Sequence, residues 1–146
     1  MTSNNEIFAI FYDFEPHYTD SFNFIQGEGF KYKKLTNKNL KKVVILNDTP
    51  VFVDKDDRIV GFAQQCVQEI SAGVDGSLWA LACMNNNTAG DFPLIRWDPA
   101  RSQWYNVHGV SGFKIAAYNE ISVSVLSRSG RITFSSVNNY TKEIVY

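Results

Sequence analysis

Histidine is scarce in this sequence. His17 and His108 are the only two, and neither sits in a serine, cysteine or carboxylate arrangement of recognised catalytic spacing. Gly-rich phosphate loops and His-Glu-x-x-His helices are also missing. Carboxylate pairs for glycoside hydrolysis stay open, since such partners lie far apart in a chain, but no supporting motif accompanies them. The expectation is a protein that is not an enzyme, with no catalytic residues, no metal site and no cofactor. Charge is equally unremarkable: 14 basic against 15 acidic residues give a net charge of −1, so composition provides no reason to expect a nucleic-acid partner. No apolar run approaches the ~18 residues of a membrane-spanning helix, and no membrane span is expected. The start, Met1-Thr2-Ser3-Asn4-Asn5-Glu6, lacks the basic and apolar regions of a secretory signal. A cytoplasmic location is therefore expected, although a mature secreted form, or one exported by a non-classical route, would read the same way.

Sustained helical periodicity is absent too: no segment repeats apolar residues at i, i+3, i+4 and i+7 between caps. What is present is a succession of short apolar or alternating runs separated by turn residues. The clearest is Ile70-Ser71-Ala72, then Gly73-Val74-Asp75-Gly76-Ser77, then Leu78-Trp79-Ala80-Leu81. Asp75-Gly76 suits the φ > 0 positions of a type I′ hairpin turn. Ile7–Phe14 reads as a buried strand, and Phe22–Leu35 as a hairpin about Gly27-Glu28-Gly29. Val43–Leu46 and Val51–Val53 flank a turn at Asn47–Pro50, and Arg58–Phe62 returns after Asp54–Asp57. Leu94–Trp97 and Gln103–Val107 flank Asp98–Ser102; Gly109 and Gly112 break the chain; Phe113–Ala117, Ile121–Val125, Arg131–Phe134 and Lys142–Tyr146 complete it. Apolar residues make up 45% of the chain, enough for one packed domain over residues 1–146.

Three local features have plain structural readings. The lysines at 31, 33, 34, 38, 41 and 42 read as a solvated strand face and loop rather than an anion site. Asp54-Lys55-Asp56-Asp57 lacks the spacing of a calcium loop. Cys66 and Cys83 flank the Asp75-Gly76 hairpin and could face each other across it; with a cytoplasmic reading they are expected to be small buried residues with free thiols. Asn-x-Thr sequons at Asn47, Asn86 and Asn139 matter only in a eukaryotic secretory route.

The pattern repeats. Arg58-Ile59-Val60 after one turn is echoed by Arg131-Ile132-Thr133 after another, and Ile70-Ser71-Ala72 by Ile115-Ala116-Ala117. Over residues 67–117 the chain resembles a tectonin-type β-propeller repeat, whose core reads Ile-Ser-x-Gly-x-Asp-Gly-x-Val-Trp-Gly-Val. Here it is Ile70-Ser71-Ala72-Gly73-Val74-Asp75-Gly76-Ser77-Leu78-Trp79-Ala80-Leu81, followed by Leu94–Asp98 and by Trp104 with Gly109 five positions on. Ala80 stands where the family has Gly, and Tyr118 replaces another Gly. The resemblance implies an all-β fold of small antiparallel sheets arranged as a propeller. The length leaves room for about four blades, or for a partial propeller completed by self-association into a homo-oligomer. It also implies a lectin-like protein with glycans or glycoconjugates as partners. The alternative is a structural subunit that uses sheet faces and edges for protein contacts.

Sugars stack on exposed aromatic rings and hydrogen-bond to polar side chains, so the candidate sugar-binding set is Arg96, Trp97, Trp104, Asn106 and His108. Trp79 is expected in the core.

Overall fold

The computed structural model describes residues 2–3, 6–10, 16–19, 33–34, 39–84, 87–135 and 141–145. These form strands and turns, with no helix long and apolar enough to cross a membrane. Among the described residues, four small sheets follow one another along the chain. The first joins β1 (Ile7–Ile10), β2 (Pro16–Thr19) and β3 (Lys33–Lys34). The second pairs β4 (Leu40–Leu46) with β5 (Thr49–Asp54). The third is a meander of β6 (Val67–Ala72), β7 (Leu78–Ala82), β8 (Phe92–Asp98) and β9 (Gln103–Gly112). The fourth is a meander of β10 (Lys114–Asn119), β11 (Ser122–Leu126), β12 (Arg131–Ser135) and β13 (Thr141–Val145). The all-β expectation of small antiparallel sheets is met. The hairpin expected over Phe22–Leu35 lies outside the described residues apart from Lys33–Lys34, as do residues 11–14 of the first expected strand.

One turn geometry recurs four times. In Asp54–Arg58, Gly73–Ser77, Asn87–Asp91 and Ser127–Arg131 the fourth residue's N–H donates to the first residue's carbonyl, and the first residue's N–H donates to the fifth residue's carbonyl. The fourth residue has positive φ each time: Asp57 62°, Gly76 83°, Gly90 84° and Gly130 83°. This is a type I turn closed by a left-handed residue. Side-chain oxygens complete it: Asp54 Oδ1 accepts from the N–H groups of Asp56 and Arg58, Asn87 Oδ1 from those of Ala89 and Asp91, and Ser127 Oγ from that of Arg131. The expected type I′ turn at Asp75-Gly76 is therefore corrected, because only Gly76 of that pair has positive φ. Two adjacent pairs do have both φ values positive: Asn47-Asp48, at 47° and 60°, and Ala63-Gln64, at 53° and 49°. The matched runs Arg58-Ile59 and Arg131-Ile132 both leave the same kind of turn. The return after Asp57 is shorter than expected, with isolated bridges Val53↔Ile59 and Arg58↔Cys66 in place of a full strand.

Alternation decides the core. Every residue of Leu78–Ala82 is buried because this sheet is covered on both faces. Ile70, Ala80, Ala82 and Ile95 pack with Val51, Val53, Ile59 and Val67 toward the β4–β5 sheet. Trp79, Leu81, Leu94 and Val110 pack with Val123 and Val125 toward the β10–β13 sheet, with Ile115 and Ala117 against them. Trp79 is only 1% exposed, as expected of a core anchor. Ile70 and Ile115, matched in the sequence, both face the preceding sheet. Gly109 does not end a strand. β9 runs through it with φ 76°, and an irregular register between Pro93 and Ile95 absorbs the extra residues.

The first strands of successive sheets lie beside one another: β1 by β4, β4 by β6, and β6 by β10. Glu69 on β6 ties three of them together, accepting from Lys42 Nζ of β4 at 2.9 Å and Lys114 Nζ of β10 at 3.0 Å. Burial alone would raise the Glu69 pKa; the hydrogen bonds from Lys42 and Lys114 outweigh it and hold the carboxyl below its ordinary value. Lys42 also donates to the Gln68 carbonyl, and Lys41 pairs with Asp57. Lys42 is thus a sheet-to-sheet tie, and Lys41 anchors the turn that follows β5.

The free-thiol expectation for Cys66 and Cys83 is overturned. The two form a disulfide, with Cα atoms 5.4 Å apart. Hairpin geometry explains it. The β6/β7 register sums to 150 from Ala72↔Leu78 through Glu69↔Leu81, and a bulge then shifts it to Val67↔Ala82. That one-residue shift sets Cys66 opposite Cys83, whose N–H donates to the Cys66 carbonyl at 3.1 Å. No signal in the N-terminal composition reports this register.

Candidate functional site

The five sequence-selected residues fall into two places. Trp97 and Trp104 are direct cross-strand partners on β8 and β9, with rings meeting edge to face at 5.4 Å. Trp97 also meets Phe62 edge-on at 5.3 Å, and Trp104 Nε1–H donates to the Phe62 carbonyl at 3.0 Å. Both indoles are half-buried and lie on the face toward the β4–β5 sheet. Arg96 points to the opposite face, in register with Trp79 and Tyr105. Asn106 and His108 are exposed farther along β9, beside a separate cleft of about 380 Å³ shared with Asn87, Pro93 and Ser111. The structure joins Arg96, Trp97 and Trp104 at one end of the β8–β9 hairpin and leaves Asn106 and His108 apart from them.

At that end the turns of three consecutive sheets converge. Asn47 comes from the β4–β5 turn, Asp75, Gly76 and Ser77 from the β6–β7 turn, and Glu120 from the β10–β11 turn. With Phe62, Arg96, Trp97 and Pro99 they line a cleft of about 350 Å³, within the ~300–1,000 Å³ range of small-ligand sites. A second cleft of about 400 Å³, lined by Arg96, Trp97, Asp98, Pro99, Arg101 and Tyr105, adjoins it across the strand end.

The rim is fixed by its own hydrogen bonds. Asp75 Oδ1 accepts from Ser77 N–H at 3.1 Å and from Ser77 Oγ–H at 2.7 Å; Asp75 Oδ2 accepts from Glu120 N–H at 2.7 Å. Burial would raise the Asp75 pKa, but these donors outweigh it and hold the carboxyl below its ordinary value. Val74 N–H donates to the Tyr118 carbonyl at 2.9 Å, and Trp79 Nε1–H to the Asn119 carbonyl at 3.2 Å. Gly76 has a left-handed φ that favours glycine, and a Cβ there would displace the Asn47 side-chain amide, whose Oδ1 would stand 2.4 Å away.

Arg96 is the cationic element of the cleft wall. Its side chain is only 12% exposed, and its guanidinium lies 5.2 Å from the Trp79 ring centre and 6.0 Å from that of Tyr105. Nη2 donates to Glu120 Oε2 at 3.3 Å, while Nε is buried and meets no hydrogen-bond partner. Glu120 itself is 64% exposed. A half-buried tryptophan, a guanidinium and amide, hydroxyl and carboxylate groups on fixed turns make a surface that can stack a ring and exchange hydrogen bonds with a polyol.

Sequence reasoning missed Asn47, Phe62, Asp75 and Glu120 as lining residues. Asn47 and Asp75 were visible only as turn residues. Phe62 and Glu120 join the cleft through packing between sheets, for which a single sequence carries no signal. Among the described residues no group of three or more His, Cys, Asp or Glu side chains is placed to hold a metal ion. No family model matches the chain, and no curated protein matches it.

Proposed function

We propose that the protein is a non-catalytic, lectin-like recognition module of tectonin type, its sheets acting as propeller blades and its glycan site lying where blades meet. The observation that carries this reading is the cleft at the converging turns. Trp97 offers an aromatic ring there, Asn47, Ser77, Arg96 and Glu120 offer donors and acceptors around it, and the rim is already ordered by hydrogen bonds, so little ordering entropy opposes binding. The order of the first strands, β1 beside β4 beside β6 beside β10, supports the blade-like arrangement. The disulfide favours an oxidising compartment over the cytoplasm. A glycan array probed with the purified protein tests the reading. Binding that falls about tenfold or more in Trp97→Ala, with the unfolding transition of that variant checked in parallel, is expected. No sugar bound at high protein concentration contradicts it.

A second reading, as a subunit of a homo-oligomer or larger assembly, is favoured by one observation. The outer face and edge of the β10–β13 sheet leave Tyr118 65% and Phe134 38% exposed. Light scattering on dilution separates the two. Assembly through that face predicts a species larger than one chain that Tyr118→Lys dissociates, and a stable monomer at all concentrations removes it.

A further inference from the structure

The charged residues lining the inter-sheet cleft are Asp75, Arg96 and Glu120: two carboxylates against one guanidinium, one net negative charge. The guanidinium is already engaged by Glu120 Oε2 at 3.3 Å and by the Trp79 and Tyr105 rings. Both Asp75 oxygens are committed to Ser77 and to the Glu120 N–H. Among the described residues that line the adjoining cleft, the other cation is Arg101, paired with Asp98 at 3.5 Å. Glu120 is 64% exposed and Arg96 only 12%, so a carboxylate entering this cleft meets the Glu120 charge beside the guanidinium, and the adjoining cleft that Arg96 also lines carries Asp98. A sugar hydroxyl, in contrast, can accept from the guanidinium and donate to the free lone pairs of Glu120 at once.

Resting on the lectin reading above, we propose that this cleft selects uncharged sugar residues over acidic ones, and that Glu120 is the residue that sets the selectivity. The Glu120 carboxylate acts as a fixed counter-anion on Arg96: it neutralises the guanidinium, repels ligand carboxylates and supplies the acceptor for ligand hydroxyls. Specificity here comes from a repulsive element as much as from an attractive one. Removing the charge while keeping the shape turns Arg96 into an open anion partner, because the neighbouring Asp75 is already occupied and lies on the β6–β7 turn.

The test compares galactose- or mannose-terminated glycans with the same glycans capped by sialic acid, on wild type and on Glu120→Gln. Wild type is expected to favour the neutral forms by about tenfold or more, and Glu120→Gln to lower that ratio by about tenfold. Thermal unfolding confirms that the variant keeps the fold, as expected for a side chain 64% exposed. Wild type that binds sialylated glycans as well as neutral ones, or a ratio that Glu120→Gln leaves unmoved, overturns this inference and spares the lectin reading. Failure to bind any glycan overturns both.

Discussion

The two faces of the β6–β9 sheet meet their neighbours in different ways. Toward β10–β13 the junction is sealed: Trp79 fills its centre, and its indole N–H, the Ser71 hydroxyl and the Asp75 carboxylate bond to the Asn119 carbonyl, the Ala117 N–H and the Glu120 N–H. Toward β4–β5 the interior is small and aliphatic, and the large rings sit at the end instead, where Phe62, Trp97 and Trp104 stack edge to face. That end is open, and the cleft there runs over the strand ends, taking Phe62 and Trp97 from this side and Arg96 and Glu120 from the other. One sheet thus gives a closed joint where its largest side chain lies mid-strand and an opening where its rings lie at the strand end.

The contrast can be broken at its strongest point first. Trp79→Ala removes the centre of the sealed junction and should cost about 3–5 kcal/mol by urea or thermal unfolding. A loss near that of an exposed residue would show that the junction is held elsewhere. Next in size is the double variant Cys66→Ser/Cys83→Ser, or reduction of the wild type. The bridge spans 17 positions, and releasing that loop should cost about 3 kcal/mol.

A smaller effect sharpens the comparison. Gly76→Ala and Gly130→Ala each force a left-handed φ on alanine, at about 1 kcal/mol. A Cβ at Gly130 meets nothing within 4 Å, whereas one at Gly76 collides with Asn47. Gly76→Ala should therefore cost more and weaken ligand binding, and Gly130→Ala should leave binding alone; equal binding by the two variants would argue against the cleft.

The smallest effect comes from Glu69. Its folded pKa is depressed below the ordinary 4.5, so its ties to Lys42 and Lys114 contribute fully above about pH 4.5 and are lost as pH falls through the lower folded value. After screening at this partly exposed site the contribution is about 1 kcal/mol or less. Unfolding curves across acid pH should show it in wild type and not in Glu69→Gln.

Much of the fold was legible because alternation and turn chemistry are local. The run Leu78–Leu81 announced a strand with Trp79 in the core, and Gly76 and Gly130 announced turns. The turn type at Asp75-Gly76 was misread because positive φ is needed at one residue and not two, which depends on how many residues the hairpin leaves unpaired. The disulfide depended on a one-residue bulge between Val67 and Glu69, invisible to a pattern of period two. Of the site, the Trp97–Trp104 pair was legible as a hairpin pair. Its grouping with Asn47, Phe62, Asp75 and Glu120 was not, since it arises where turns of three separate sheets meet.

The most direct test is a backbone and indole amide NMR titration of the native protein with a neutral glycan selected from the array. Binding at the open junction predicts shifts clustered on Asn47, Ser77, Glu120 and the Trp97 indole, with little change at Val123 or Val125 in the sealed core. Shifts centred on Asn106 and His108, or spread along β10–β13, would contradict it.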